Sequence, residues 1–283
     1  MSARKLHAPA VGLEKAAVPN DLTPFVQAFV ERRDTGQLGG AIELPDPSPL
    51  LQFVIGADYE LRRHNGGGAF APVPLVALWG PTAAVWEARV AGPVHVYCVV
   101  LTHLGAAVLA QAPVGDLVDR RVCIQDLNVA DADMIARLRE APDFAARTAL
   151  IADWLRSALS ARRIYDDRDL LLADAMAQGQ VTGSVEAIAR DTGVSTRGLH
   201  KRLSIASGWS PKHLLRIARL QAALRHIHPK PWDHPGDRDV MLQFHDQAHF
   251  AKDFKQLTGL TPAQYRAAKQ ALGDCLINTL YIG

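Results

Sequence analysis

The sequence predicts an α+β chain in two parts. A β-rich N-terminal domain covers residues 1–165, with a helical segment at 129–162. An all-α C-terminal domain covers residues 166–283, where a long helix joins two helix-turn-helix units. Three observations predict this. At 283 residues the chain is long enough to bury two cores. Its apolar residues form short runs bounded by Pro and Gly up to Leu101, then recur every three or four residues after Asp126. No acidic residue lies between Asp191 and Asp233, a stretch that holds Arg197, Lys201, Arg202, Lys212, Arg216, Arg219, Arg225 and Lys230.

The strand runs are Ala41 to Leu44, Leu50 to Gly56, Pro74 to Trp79, Ala83 to Val90 and Val94 to Leu101, a small sheet or barrel. Gly66-Gly67-Gly68 lacks a following Lys-Ser/Thr pair and a helix signal, so it reads as a turn and not as a phosphate cradle. The apolar stretch Val94 to Ala110 carries His95, Thr102 and His103, which makes it a strand followed by a helix and not a membrane span. Helical periodicity then places Met134, Ile135 and Leu138 on one face, and Phe144, Ala149, Ile151, Trp154, Leu155 and Leu159 on another. The polar stretch Arg162 to Asp167 is the expected linker.

Composition narrows the function classes. The net charge of +2 divides into 16 Lys+Arg against 17 Asp+Glu before residue 166 and 15 against 12 from there on, so the positive surface is local to the second half. Cys98, Cys123 and Cys275 are odd in number, far apart and without Cys-x-x-Cys spacing, which speaks against a disulfide framework or zinc site and suits a reducing cytoplasm. The start, Met1 to Lys5, runs into Pro9, Glu14 and Pro19, so no signal peptide is expected. There is no Gly-x-Ser-x-Gly, no cysteine with a nearby histidine and no defined carboxylate pair, so no enzyme and no cofactor is expected.

The first helix-turn-helix unit spans Ser184 to Leu203. Ser184 is an N-cap, and Val185, Ile188 and Ala189 form an apolar face. Small residues at Ala187 and Ala189 permit close approach. Asp191-Thr192-Gly193 ends the helix, Gly193 suits a left-handed turn, and Ser195 caps the next helix. Leu199 and Leu203 must face inward, which leaves Arg197, His200, Lys201 and Ser204 as one outer stripe. Arg and Lys can donate to guanine O6 and N7 and His200 can bond a base edge, while the helix N-terminus at Ser195 and Thr196 can hold a phosphate. The bland alternative is a solvated basic face on a structural helix.

Ser210 as N-cap and Pro211 at the first turn open a long helix running to about His228, roughly 27 Å at 1.5 Å per residue. Leu214, Leu215, Ile217, Ala218, Leu220 and Leu224 make it a strut buried on two sides, with Arg216, Arg219 and Arg225 on a cationic side. The second unit covers residues 244–266. Asp246 caps a helix with Phe250, Phe254 and Leu257 inward and Gln247, Ala248, Ala251, Lys252 and Lys255 outward, and Thr261-Pro262 starts another.

Residues 168–270 resemble the AraC/XylS family of transcription regulators. The resemblance is carried by Asp246-Gln247-Ala248-His249-Phe250, Phe254-Lys255, Thr258-Gly259, Thr261-Pro262 and Tyr265-Arg266, and by Val194-Ser195-x-Arg197-x-Leu199-x-Lys201 and Arg219-Leu220-x-x-Ala223-Leu224. It implies double-stranded DNA as partner, with base contacts from Arg197, His200 and Lys201 and from near Gln247, Ala248 and Lys252. Arg202 and Lys212 would take phosphates, and the two units would enter successive major-groove segments. Where the family has an Ala and a Gly ahead of the aromatic that opens the second signature, this chain has Asp239 and Gln243 before Phe244, within reach of the Pro- and Gly-rich stretch Trp232 to Asp239. The first unit is therefore expected to read bases and the second to act as a clamp.

The segment Gly92 to Leu127 is similar to the cupin-like sensor and dimerisation domains of such regulators. The resemblance implies a small-molecule effector, a homodimer and RNA polymerase as further partners, an activator's role among the alternatives, and no membrane. His64, His95 and His103 lack the His-x-His pairing of a metal cupin, so no metal is expected. Either Trp86 with Ala84 and Ala88, or His95 and Tyr97 with Val99, could line a ligand cavity, with core packing as the alternative. An interaction protein with a weakened second DNA-binding unit, and an enzyme in the N-terminal domain, are the competing functions.

Overall fold

A computed structural model describes residues 11–34, 41–64, 66–90, 92–127, 133–160, 168–227 and 247–265. The expected linker Arg162 to Asp167, the stretch Trp232 to Asp239, the cap Asp246 and Cys275 lie outside the described residues.

The N-terminal half is built from two sheets. A six-stranded antiparallel sheet has the order β1 (Val11–Ala16), β2 (Val26–Asp34), β9 (Val94–Leu101), β4 (Leu50–Val54), β7 (Val76–Trp79), β10 (Arg121–Cys123). A four-stranded sheet runs β3 (Ala41–Glu43), β8 (Trp86–Val90), β5 (Tyr59–Arg63), β6 (Ala71–Pro72). Alternation along each strand divides the large sheet into two faces. Phe29, Leu51, Phe53, Leu78, Tyr97 and Val99 point one way, against α1 (His103–Ala110), α2 (Met134–Glu140) and α3 (Phe144–Ser160). Val54, Ala77, Trp79, Val96 and Cys98 point the other way and meet Tyr59, Leu61 and Ala88 of the small sheet.

Five strands lie outside the runs read from the sequence: β1, β2, β5, β6 and β10. In β2 the charged end hides the signal. Glu31 and Arg32 read as solvated residues, yet both are buried. Glu31 is satisfied by the Nε–H of Arg147 on α3 at 2.7 Å, by Arg33 at 2.6 Å and by the His95 ring at 2.7 Å. The run Ala83 to Val90 forms a strand only from Trp86, and its start is instead held by Asp119, whose carboxylate accepts the N–H groups of Ala83 and Ala84 at 2.9 and 3.1 Å. The helical face after Asp126 is as expected at Met134, Leu138, Ile151, Leu155 and Leu159, whereas Ala149 is exposed. Gly67 in the triple-glycine turn has φ +59°, a conformation glycine adopts freely.

The C-terminal half consists of α4 (Arg168–Ala177), α5 (Val185–Asp191), α6 (Thr196–Ser207), α7 (Pro211–Ile227) and α8 (Gln247–Thr258). α7 is the strut: Leu214, Leu215, Ile217, Leu220 and Leu224 are all buried and join Ala173, Ile188, Leu199, Leu203, Phe254 and Tyr265 in one core. That core also takes in Leu44 of the N-terminal half.

Three further contacts join the halves. His103, fully buried at the start of α1, donates its backbone N–H to Asp174 of α4, and its ring Nδ1 lies 2.6 Å from the same carboxylate. The amide of Gln221 on α7 donates to the carbonyl of Pro45. Gly208, at the end of α6, lies against Gly115 in a single 3-10 turn, Val114–Leu117.

Candidate nucleic-acid interface

The first unit forms as its sequence dictates. The Ser184 side chain accepts the N–H of Ala187 at 3.1 Å and opens α5. Ile188 and Ala189 bury its inner face. Gly193 takes the left-handed conformation, φ +70°, while the Val194 N–H returns to the Ala189 carbonyl at 3.0 Å. Ser195 then accepts the N–H of Gly198 at 3.1 Å, capping α6. Leu199 and Leu203, 1% and 0% exposed, seat α6 against α5 and α4.

Burial of that face turns the opposite one outward. Ser195, Thr196, Arg197, His200, Lys201 and Ser204 are all exposed. Among the described residues no carboxylate pairs with Arg197 or Lys201, so the stripe keeps its positive charge. With its cap and N-terminal N–H groups alongside, it can donate to base edges and to a phosphate. Lys212, on the first turn of α7, is exposed as well.

The fold modifies the acid-free region seen in the sequence. Arg202 donates its Nε–H to both carboxylate oxygens of Asp169 on α4, at 2.8 Å each. Arg216 of α7 pairs with Asp253 of α8 at 3.1 Å and bonds Gln256. The cationic side assigned to the strut is thus partly an attachment for the second unit, because acids distant in sequence reach it. The sequence had no signal for these pairs beyond the presence of Asp169 and Asp253.

In the second unit Phe250, Phe254 and Tyr265 stack edge to face, with ring centroids 5.6 and 5.5 Å apart. Thr261 and Gln264 exchange hydrogen bonds at 2.9 and 3.1 Å, a reciprocal cap on the helical turn that follows. Lys252 and Lys255 are exposed on α8. Gln247 and Ala248 lie in the first turn of the same helix, and their side chains are outside the described residues.

Two of the histidines weighed as metal ligands have other partners, His95 meeting Glu31 and His103 meeting Asp174, while the His64 Nδ1 lies 3.9 Å from Glu87 and makes no hydrogen bond. Among the described residues no group of His, Cys, Asp or Glu could hold a metal ion. Of the two faces considered for a ligand, that of Tyr97 and Val99 is core. Tyr97 is fully buried beside Phe53 and Phe144, and its hydroxyl donates to Thr148 at 2.7 Å. The Trp86 and Ala88 face looks into the space between the sheets.

Residues 188–268 match the family model of a helix-turn-helix domain. These residues therefore carry a helix-turn-helix domain. No curated protein matches the sequence. Among solved structures, ToxT from Vibrio cholerae is similar at 10% identity, covering 92% of this chain and 98% of that one with a TM-score of 0.46. The AraC-like transcriptional activator CuxR is similar at 13% identity, covering 76% and 87% with a TM-score of 0.30. At such identities and scores nothing about this chain's ligand or partners follows from them.

Proposed function

We propose that the chain is a sequence-specific DNA-binding transcription regulator in which α6 reads bases in the major groove and α8 clamps the duplex. The observation that carries this reading is the exposed stripe of Arg197, His200 and Lys201, without a carboxylate partner among the described residues, on a capped helix whose opposite face is buried. Ser195 and Thr196 at the helix start and Lys212 on α7 hold phosphates, and Ser204 extends the stripe. Arg202, tied to Asp169, orients α6 on α4 while its partly exposed side chain lies beside the backbone. Gln247, Ala248, Lys252 and Lys255 supply the contacts of α8.

Residues 1–165 act as the domain that receives a small-molecule or partner signal, and residues 166–283 as the output. The direct contacts between the halves, at His103, Pro45 and Gly115, support such coupling. A second copy of the chain and RNA polymerase are the partners this role calls for, and the cytoplasm is its place. Among the described residues no helix is long and apolar enough to cross a membrane.

The test is selection of duplexes from a random pool by the full chain, followed by sequencing. Enrichment of one motif with two half-sites about one helical turn apart is expected. Recovery of unenriched sequence would contradict a base-reading role.

A further inference from the structure

Two recognition helices engage one duplex only if the distance and angle between them match the groove, so whatever fixes α8 on the strut α7 fixes the half-site spacing that the chain accepts. The apolar part of that joint is made by Phe254 and Leu257 of α8, which enter one core with Ile217, Leu220 and Leu224 of α7. Apolar burial is non-directional: it holds α8 against α7 without defining the rotation of α8 about its own axis. A helix with its side chains is about 10–12 Å across, so a roll of roughly 35° carries the outer side chains about 3.4 Å, one base-pair step.

A polar lock lies beside the apolar seat. The Arg216 Nη2 of α7 lies 3.1 Å from a carboxylate oxygen of Asp253 and donates to the amide oxygen of Gln256. Asp253 and Gln256 are three residues apart on one face of α8, so a single guanidinium spans nearly a turn of that helix. Arg219, three residues further along α7, is half-buried and feels the same carboxylate: burial lowers its pKa, Asp253 pulls it up and Arg216 pushes it down. Side-chain exposures of 24% for Arg216 and 17% for Asp253 leave the pair less screened than one in open solvent. Charge-assisted bonds are directional, and two acceptors gripped by one planar donor define an angle as well as a distance.

We propose that Asp253, through Arg216, sets the spacing between the two half-sites: it is a positioning residue that holds α8 at one rotation on the strut and so restricts the operators that the chain accepts. This role rests on the reading of the chain as a DNA-binding regulator with two reading helices, and it names one source of the specificity. Asp253 stands on α8 between Lys252 and Lys255, both exposed. A carboxylate turned outward there would repel phosphates, and the pairing with Arg216 keeps it turned toward α7. α6 has a counterpart in the bonds from Arg202 to Asp169 of α4, so each reading helix is tied to its support by an arginine–aspartate pair.

The experiment is fluorescence anisotropy of the full chain on duplexes in which the two half-sites of its selected motif are moved apart or together by one, two or three base pairs, with a duplex carrying the α6 half-site alone as reference. Wild type is expected to lose about tenfold or more in affinity when the spacing changes by one base pair. Asp253→Ala and Arg216→Ala should reduce that penalty to about threefold or less and leave binding to the α6 half-site unchanged. Asp253→Glu keeps the charge and both acceptor oxygens and should keep the wild-type profile. Gln256→Ala, at an exposed position outside the core, should give an intermediate profile even if the other variants fold poorly. A profile as steep as wild type in Gln256→Ala and in the folded Asp253 and Arg216 alanine variants would overturn the positioning role. So would a uniform change of affinity at every spacing, the mark of an acid that merely repels phosphates. A wild type indifferent to spacing would overturn the reading of two cooperating helices along with it, whereas a steep wild-type profile that the variants share would overturn the role of Asp253 alone.

Discussion

Two kinds of charged residue do opposite work in this chain, and burial decides which. Arg197 and Lys201 keep their charge in solvent, available to a polyanion. Glu31 is 1% exposed and fully engaged. Burial alone would raise its pKa, but hydrogen bonds from His95, Arg147 and Arg33 and the Arg147 charge outweigh that and bring it down to about 2. A carboxylate with a depressed folded-state pKa stabilises the fold above its ordinary value near 4.5 and loses that contribution as pH falls toward 2. Glu31 should therefore contribute roughly 3 kcal/mol at neutral pH. Urea unfolding of wild type and Glu31→Gln should differ strongly at pH 7 and converge toward pH 2, and a gap independent of pH would count against the network. The outward basic stripe was legible in the sequence because helical spacing alone places it. The Glu31 network was not, since Arg147 and His95 lie 116 and 64 residues away.

Helices were easier to read than strands. Capping residues and turn glycines mark α5, α6 and α7 in the sequence itself, and the described bounds fall where Ser184, Ser195 and Ser210 place them. β1 and β2 went unread because long-range pairing and ion pairs, and not local alternation, hold them in the sheet. Two glycines at helix ends show how far local reading reaches. Gly193, φ +70°, has nothing within 4 Å of a would-be Cβ, so its role is conformational and visible in the sequence. Gly208, φ +77°, would place a Cβ 2.3 Å from Val118 Cγ2 and 2.8 Å from Gly115 Cα, a constraint set by the other half of the molecule. Gly193→Ala is expected to cost about 1 kcal/mol through backbone strain, and Gly208→Ala about 2–4 kcal/mol, because overpacking is added to the same strain. Equal losses in urea unfolding would mean that the halves do not approach as closely as described.

At the scale of the molecule, direct contacts join the helices of the C-terminal half to the N-terminal half. The far end of α6 rests on the N-terminal half at Gly115, the strut α7 is bonded to Pro45, and α4 receives the buried His103–Asp174 pair. The basic stripe lies on the exposed side of α6, apart from the contacts at Gly115. The passage from strands to helices was legible from the change in apolar period after Asp126, and the basic stripe from the acid-free stretch. The contacts joining the halves were not, because Leu44, Pro45, His103 and Gly115 carry no local mark of a distant partner. The most direct test of the central claim is fluorescence anisotropy of the full chain on its selected duplex over a salt series, repeated with Arg197→Ala plus Lys201→Ala. The account predicts affinity that falls steeply with salt, a loss of about 2–5 kcal/mol in the double variant and a shallower salt slope. Unchanged affinity and slope in a folded double variant would contradict it.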